Sequence, residues 1–200
     1  MPTDSASRQR GGAPAVIAAG PWAAQVARLA GVRATDGVFL EVAQEVAAGY
    51  PRIQLDTANV DAICMWLLKN PANYDVIVTT NLFGDILSDL CAQLVGGMGF
   101  GYSGNIGDHY AVFEPTHGSA PKYAWQNKVN PLATILAAMM MLEWLGEKDK
   151  AAEIEAAVAA VVAEGAVRTY DLGGSATTAE MAQAVCAKVG QAVSPAMAVR

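Results

Sequence analysis

The chain has 200 residues, a formal net charge of -6 and a hydrophobic fraction of 53%, with a mean hydropathy of +0.26. That length and apolar content suffice for a sizeable core and exclude general disorder. The acidic balance excludes nucleic acid as a partner, because phosphate binding needs a basic face.

Residues 1–34 differ from the rest: they are rich in Ala, Gly, Pro and Arg and contain no lysine. Met1 to Gly12 is polar, and the apolar run from Ala13 to Ala24 loosely suggests a targeting peptide, but Pro14, Gly20 and Pro21 break it. Thr35 or Asp36 can cap a helix running to about Ala48, with Val38, Leu40, Val42 and Val46 toward a core. Tyr50-Pro51 stops it. Ile53 to Asp56 alternates like a short half-buried strand. Asn59 to Leu68 reads as a helix with Ile63, Trp66 and Leu67 on its apolar side, ending at Asn70-Pro71. Asp75 to Thr79 is a buried strand by its β-branched run. It leads through Thr80 to Gly84 into a helix from Asp85 to Leu94.

Gly96 to Gly101 is expected as a flexible loop and Gly104 to Asp108 as a turn. Ala111 to Phe113 is a strand, followed by a long loop from Glu114 to Asn130. Helices follow at about 131–145, 149–164 and 177–189. Strands alternating with helices predict an α/β chain. No run reaches the length of a membrane span, so no membrane partner is expected. Cys64, Cys91 and Cys186 lie far apart without CxxC spacing and read as inert core residues in reducing, cytoplasmic surroundings.

Asp85 and Asp89 are four apart on a predicted helix, so their carboxylates share a face. Two carboxylates so placed suit a hard divalent cation such as Mg2+ or Mn2+, which prefers oxygen ligands. Equally, the pair reads as a solvated face with acids near a helix N-terminus.

The segment Thr79-Thr-Asn-Leu-Phe-Gly-Asp-Ile-Leu-Ser-Asp89 resembles the metal-site motif of the isocitrate/isopropylmalate dehydrogenase family. Val60-Asp61-Ala62 resembles the position whose aspartate completes the metal site of a neighbouring subunit. Glu114-Pro-Thr-His-Gly-Ser-Ala-Pro-Lys-Tyr-Ala124, closed by Asn130-Pro131, resembles the adenine-nucleotide loop. Asp171-Leu-Gly-Gly-Ser-Ala-Thr177 resembles the C-terminal signature. The motifs run in family order from Thr35 to Val189.

The resemblance implies a partial family fold. Residues 35–95 would belong to the small, dimer-forming domain and 96–200 to the large, cofactor-binding one, with 1–34 outside the family. It implies Asp85, Asp89 and a partner-subunit Asp61 as metal ligands. It assigns His117, Gly118, Ser119, Ala120, Lys122, Tyr123, Asn130 and Tyr170 to the adenosine end of NAD or NADP. Gly118 and Ser119 would allow close backbone approach. His117 reads otherwise as a turn residue, and His109 as a solvated one. The implied reaction is oxidation of a 2-hydroxy acid and loss of carbon dioxide, with the metal as Lewis acid.

A lysine-tyrosine pair at Lys122-Tyr123 is associated in the family with the 2′-phosphate of NADP, yet the arginine that would follow Tyr170 by four is Gly174. Lys122 could equally be solvated, and NAD versus NADP stays open. The Lys-Tyr pair and the Lys128-Val129-Asn130 run are more similar to isocitrate than to isopropylmalate enzymes. Other departures are Trp125 in place of a glycine, which would either obstruct adenosine or fold outward, and the lack of the family's catalytic lysine ahead of Thr35, the first lysine being Lys69. Arg28 cannot substitute, since arginine keeps its proton. The family's catalytic tyrosine and substrate arginines have no counterpart here either. The expectation is a fragment inactive alone, acting as a homodimer or with a complete paralogue, or else a non-catalytic dimerisation module. Residues 1–34 are expected to derive, for example, from a shifted reading frame.

Overall fold

A computed structural model describes residues 15–18, 23–28 and 33–191. The polar start Met1–Gly12, on which the targeting reading partly rests, lies outside the described residues. The chain divides into two compact units, Met1–Leu94 and Val95–Arg200.

The first unit holds strands β1 (Ala15–Ala18), β2 (Ala23–Arg28), β3 (Gln54–Asn59) and β4 (Val76–Thr79), with helices α1 (Val38–Ala48), α2 (Val60–Lys69) and α3 (Asn81–Leu94). The sheet order is β1-β4-β2-β3. β2 runs parallel to both β3 and β4, and β1 closes the far edge antiparallel to β4. Parallel strands need long crossovers, and α1 and α2 supply them. Ile77 of β4 packs against Val60, Ile63 and Leu67 of α2 and Leu87 of α3. Fully burying side chains such as Ile63 and Leu87 contributes about 1.5–3 kcal/mol each.

Four readings of this region need correction. β1 and β2 lie in a segment too rich in alanine to announce strands. α3 starts at Asn81 rather than Asp85, because the Thr80 carbonyl accepts from the Gly84 amide at 2.8 Å and closes a helical turn there. α1 contributes no buried residue: Val38, Val42 and Val46 stay about half exposed. The stripe is amphipathic, but no described element of this unit covers it. Trp66 is also exposed, because the buried face of α2 runs through Val60, Ile63 and Leu67.

The second unit pairs β5 (Tyr102–Ile106) with β6 (Ala111–Pro115) and packs α4 (Leu132–Trp144), α5 (Lys148–Glu164) and α6 (Thr178–Lys188). Its core joins Leu132, Leu136 and Met139 of α4 to Val158 and Val161 of α5 and Met181 and Val185 of α6. Gly104 lies inside β5, not in a turn. A Cβ there would stand 2.9 Å from the Met140 sulfur and 3.1 Å from the Phe113 ring, so this glycine lets α4 approach the sheet. Cys186 is exposed on α6, while Cys64 and Cys91 are partly buried beside the α2–α3 core. Burial, and then the neighbouring Cys64, push the Cys91 thiol up. Among the described residues, no helix is long and apolar enough to cross a membrane.

Candidate functional site

In the first unit, α3 buries Gly84, Leu87 and Ala92. Asp85 and Asp89 therefore fall on its outer side, one turn apart and both exposed. Their oxygens are accessible hard donors, which fits a magnesium- or manganese-sized ion at one edge of its coordination sphere. Asp61 is the second residue of α2, also exposed, and its Oδ1 accepts from the Ala62 amide at 2.9 Å. Among the described residues no three His, Cys, Asp or Glu side chains gather to hold a metal. Asp61 therefore does not complete a three-ligand set with Asp85 and Asp89 within this chain.

In the second unit the expected cofactor residues line the loop after β6. Thr116 ties its start down, donating to the Gly101 carbonyl through both its amide (3.0 Å) and its hydroxyl (3.2 Å). His117 Nδ1 lies 2.9 Å from the Gly118 carbonyl. A carbonyl only accepts, so Nδ1 is the donor and a neutral ring leaves Nε2 as an acceptor. Gly118, Ser119 and Ala120 are exposed, and a Cβ added at Gly118 would meet nothing within 4 Å. The space over this backbone is open to a ligand.

Next comes a short 3-10 turn, Pro121–Tyr123. Three non-glycine residues around it have positive φ: Ala120 (42°), Trp125 (64°) and Asn127 (51°). Such strain persists where surrounding contacts over-determine it. Asn127 is held by α6: its carbonyl accepts from Thr178 N and its Oδ1 from Ala179 N, both at 3.0 Å. Trp125 is fully exposed.

Tyr123 and Tyr170 meet with ring centroids 5.7 Å apart. Lys122 Nζ lies 4.8 Å from the Tyr123 ring. The hydrogen bond and charge of Lys122 hold the Tyr123 phenol below the usual tyrosine range. Partial desolvation and the adjoining Tyr123 raise that of Tyr170. A concavity of about 350 Å³ opens beside Tyr170, lined by Gln126, Asn127, Lys128 and residues 174–177.

Asn130 is not at this surface. It is buried, its Oδ1 accepts from Leu132 N at 3.0 Å at the start of α4, and its amide donates to Asp171. Sequence reasoning missed Asp171 as a partner of Asn130, and missed Thr169, whose hydroxyl donates to Asp171 at 2.5 Å. No spacing rule links Asn130 to Asp171, whereas Thr169 lies only two residues before it.

The carboxylate pair on the helix after β4 and the ordered loop beside two tyrosines are carried on an α/β scaffold. The sequence profile of the isocitrate/isopropylmalate dehydrogenase family matches residues 18–185, and the chain belongs to that family. The match begins within the compositionally distinct first segment. A probable isocitrate dehydrogenase [NAD] subunit alpha of Caenorhabditis elegans is 49% identical over 158 residues, 79% of this chain and 44% of that protein. An isocitrate/homoisocitrate dehydrogenase of Thermus thermophilus is 54% identical over 151 residues, 76% of this chain and 45% of its own length. The crystal structure of isocitrate dehydrogenase from Methylococcus capsulatus superposes with a TM-score of 0.81 at 45% identity, covering 85% of this chain and 51% of that one. The chain thus spans about half the length of the curated relatives it matches.

Proposed function

We propose that this chain carries the metal-ligand and adenosine-binding parts of an NAD(P)-dependent decarboxylating dehydrogenase acting on a 2-hydroxy acid, isocitrate in preference to 3-isopropylmalate. The observation that carries the reading is the exposed Asp85–Asp89 pair on the outer face of α3. Asp61 of a second subunit completes the donor set; among the described residues of one chain, Asp61, Asp85 and Asp89 form no three-ligand cluster. A divalent cation held there supplies Lewis acidity to the hydroxyl and carboxylate oxygens of the substrate. His117 presents Nε2 to a donor on the adenine, and the open backbone at Gly118 and Ser119 admits the adenosine. The names of the relatives above favour isocitrate.

These 200 residues do not turn over substrate by themselves, because no lysine precedes Lys69 to move a proton at the reacting centre. The test is a coupled assay with isocitrate and 3-isopropylmalate, each with NAD and NADP in the presence of manganese. The expected result is no reduced cofactor from the chain alone and turnover once a family N-terminal half is supplied. Turnover by the chain alone would overturn the inactivity. No rescue by any such half would count against the dehydrogenase reading.

A second reading, a subunit that pairs with a complete paralogue, is favoured by apolar side chains left exposed in the first unit: Val38, Val42, Met65, Leu68, Leu82 and Ile86. Contiguous exposed apolar surface marks interaction sites. Co-elution with a full-length homologue in size exclusion supports it; a monodisperse monomer in its presence rejects it.

A further inference from the structure

Strand β1 differs from the rest of its sheet. β2 runs parallel to β3 and β4, whereas β1 is antiparallel to β4, with Ala15 opposite Thr79 and Ala18 opposite Val76. It lies in the first segment, which is rich in alanine, glycine and proline. Ala15, Val16 and Ile17 also precede residue 18, where the match to the family begins. The three parallel strands fall within the matched span, and β1 is appended to them.

What β1 covers is an edge with a strong tendency to pair. β4 is Val76-Ile77-Val78-Thr79, a β-branched run without a charge or a proline, and its other side is taken by β2. Without β1 the outer amides and carbonyls of β4 would form an unpaired row. Such a row in an uncharged β-branched strand is a template for another chain. Two copies of this edge complement each other, because antiparallel pairing about a two-fold axis sets Val76 opposite Thr79 and Ile77 opposite Val78. β1 moves the edge to a poorer template. It has only four residues, with Pro14 directly before it and Gly20-Pro21 shortly after. Short edges bounded by proline, which has no N–H to donate, resist strand addition. α3 also lies against β1, so a helix as well as the ladder holds the added strand in place.

We propose that β1 is a displaceable strap: it fills the β4 edge from within the chain and so excludes a second copy, whose own β4 is the strand that would pair there. This role is independent of the reaction that the carboxylate pair serves. The strap is held to the sheet by one four-residue ladder, so the edge passes between two occupants rather than being sealed by one.

In an antiparallel pair the amides of one strand alternate between facing the partner and facing away. One of Val16 and Ile17 therefore donates to β4, and the other faces outward. The test is hydrogen exchange by mass spectrometry, with light scattering, on the whole chain and on Val16→Pro and Ile17→Pro. The proline that removes the ladder bond quickens exchange of Val76–Thr79 by roughly tenfold. That variant also associates beyond the oligomeric state of the parent. The other proline replaces an outward amide, which edge strands tolerate, and behaves as the parent does. Exchange along α5 stays parental in both, which separates release of the strap from general unfolding. A synthetic peptide of residues 13–20, added in excess, restores slow exchange and the parental state to the disturbed variant. Like behaviour of the two variants, both disturbed or both unchanged, overturns the strap, as does a peptide that restores neither property. Faster exchange without added association overturns the second copy as the occupant.

Discussion

The side-chain amide of Asn130 donates a 2.9 Å hydrogen bond to the carboxylate of Asp171, forty-one residues along the chain. A third residue is fitted to that contact. A Cβ on Gly99 would lie 2.6 Å from the Asp171 carboxylate and 2.7 Å from the Asn130 amide, so only glycine fits. The Gly99 carbonyl accepts from Ala133 at 2.8 Å in the first turn of α4. The glycine-rich loop, the start of α4 and the segment before α6 are thus joined through one carboxylate.

Asp171→Ala removes the acceptor of two buried donors, Thr169 and Asn130. The expected loss is about 2–6 kcal/mol, from roughly 1–3 kcal/mol for each donor left without a partner. Denaturant unfolding followed by circular dichroism measures it. A loss below about 0.5 kcal/mol, within the range of ordinary surface substitutions, would show that the network does not hold the unit together.

Gly118 and Gly174 should respond oppositely to alanine. Gly174→Ala forces a Cβ into the Arg168 carbonyl and destabilises by at least about 2 kcal/mol. Gly118→Ala meets open space and stays within about 0.5 kcal/mol of the parent. It nevertheless weakens 5′-AMP binding, because the methyl occupies the face offered to adenosine. Thermal melts and titration of the same two variants separate these effects.

At position 125 the backbone has φ 64° and the indole makes no buried contact. Glycine there is expected to be more stable than alanine by about 1 kcal/mol, because the left-handed region costs an L side chain that much. Comparing Trp125→Gly with Trp125→Ala in chemical denaturation isolates the backbone term. Equal stabilities would mean the loop carries no strain.

Asp85→Asn and Asp89→Asn are each expected to weaken Mn2+ binding by tenfold or more, as an anionic oxygen ligand is lost. Melting in chelator should be unchanged, since both side chains are exposed. Electron paramagnetic resonance of free manganese reads the first effect. Unaltered affinity in both variants would remove the carboxylate pair from the metal site.

Ultraviolet difference titration should show Tyr123 ionising before Tyr170. The hydrogen bond and charge of Lys122 lower the first phenol, whereas desolvation and Tyr123 raise the second. A lowered phenol favours its deprotonated form in the folded chain, so Tyr123 contributes stability only as pH rises through its titration. Its exposure makes absorbance the better readout. Lys122→Met moves the Tyr123 transition to higher pH; an unmoved transition would rule out Lys122 as the cause.

Local spacing made part of this legible. A strand followed by two acids four apart places Asp85 and Asp89 on one face wherever the helix starts, so a boundary error of one turn at Asn81 did no harm. The apolar run after Asn130 gave α4 because nothing in it interrupts a helix. Periodicity could not say whether another element lies over Val38, Val42 and Val46, since a stripe looks the same covered or bare. Nor could it place Trp66, whose ring sits just off the buried face of α2. The partnership of Asn130 with Asp171 depends on tertiary proximity, whereas the Thr169–Asp171 bond is local. Lys128 was visible only as part of a run, because its contact with Tyr170 joins positions far apart in the chain.

The Arg168 carbonyl pressed against Gly174 also limits how this chain can change. A mutation at 174 must first remake a turn held by two backbone hydrogen bonds. Substitutions at the exposed Lys122 and Lys128 disturb only surface contacts with the Tyr123 and Tyr170 rings. Change is therefore open along one short surface segment and closed at the other. A lineage starting from this sequence would vary first between 122 and 128, and at 174 only with its turn remade.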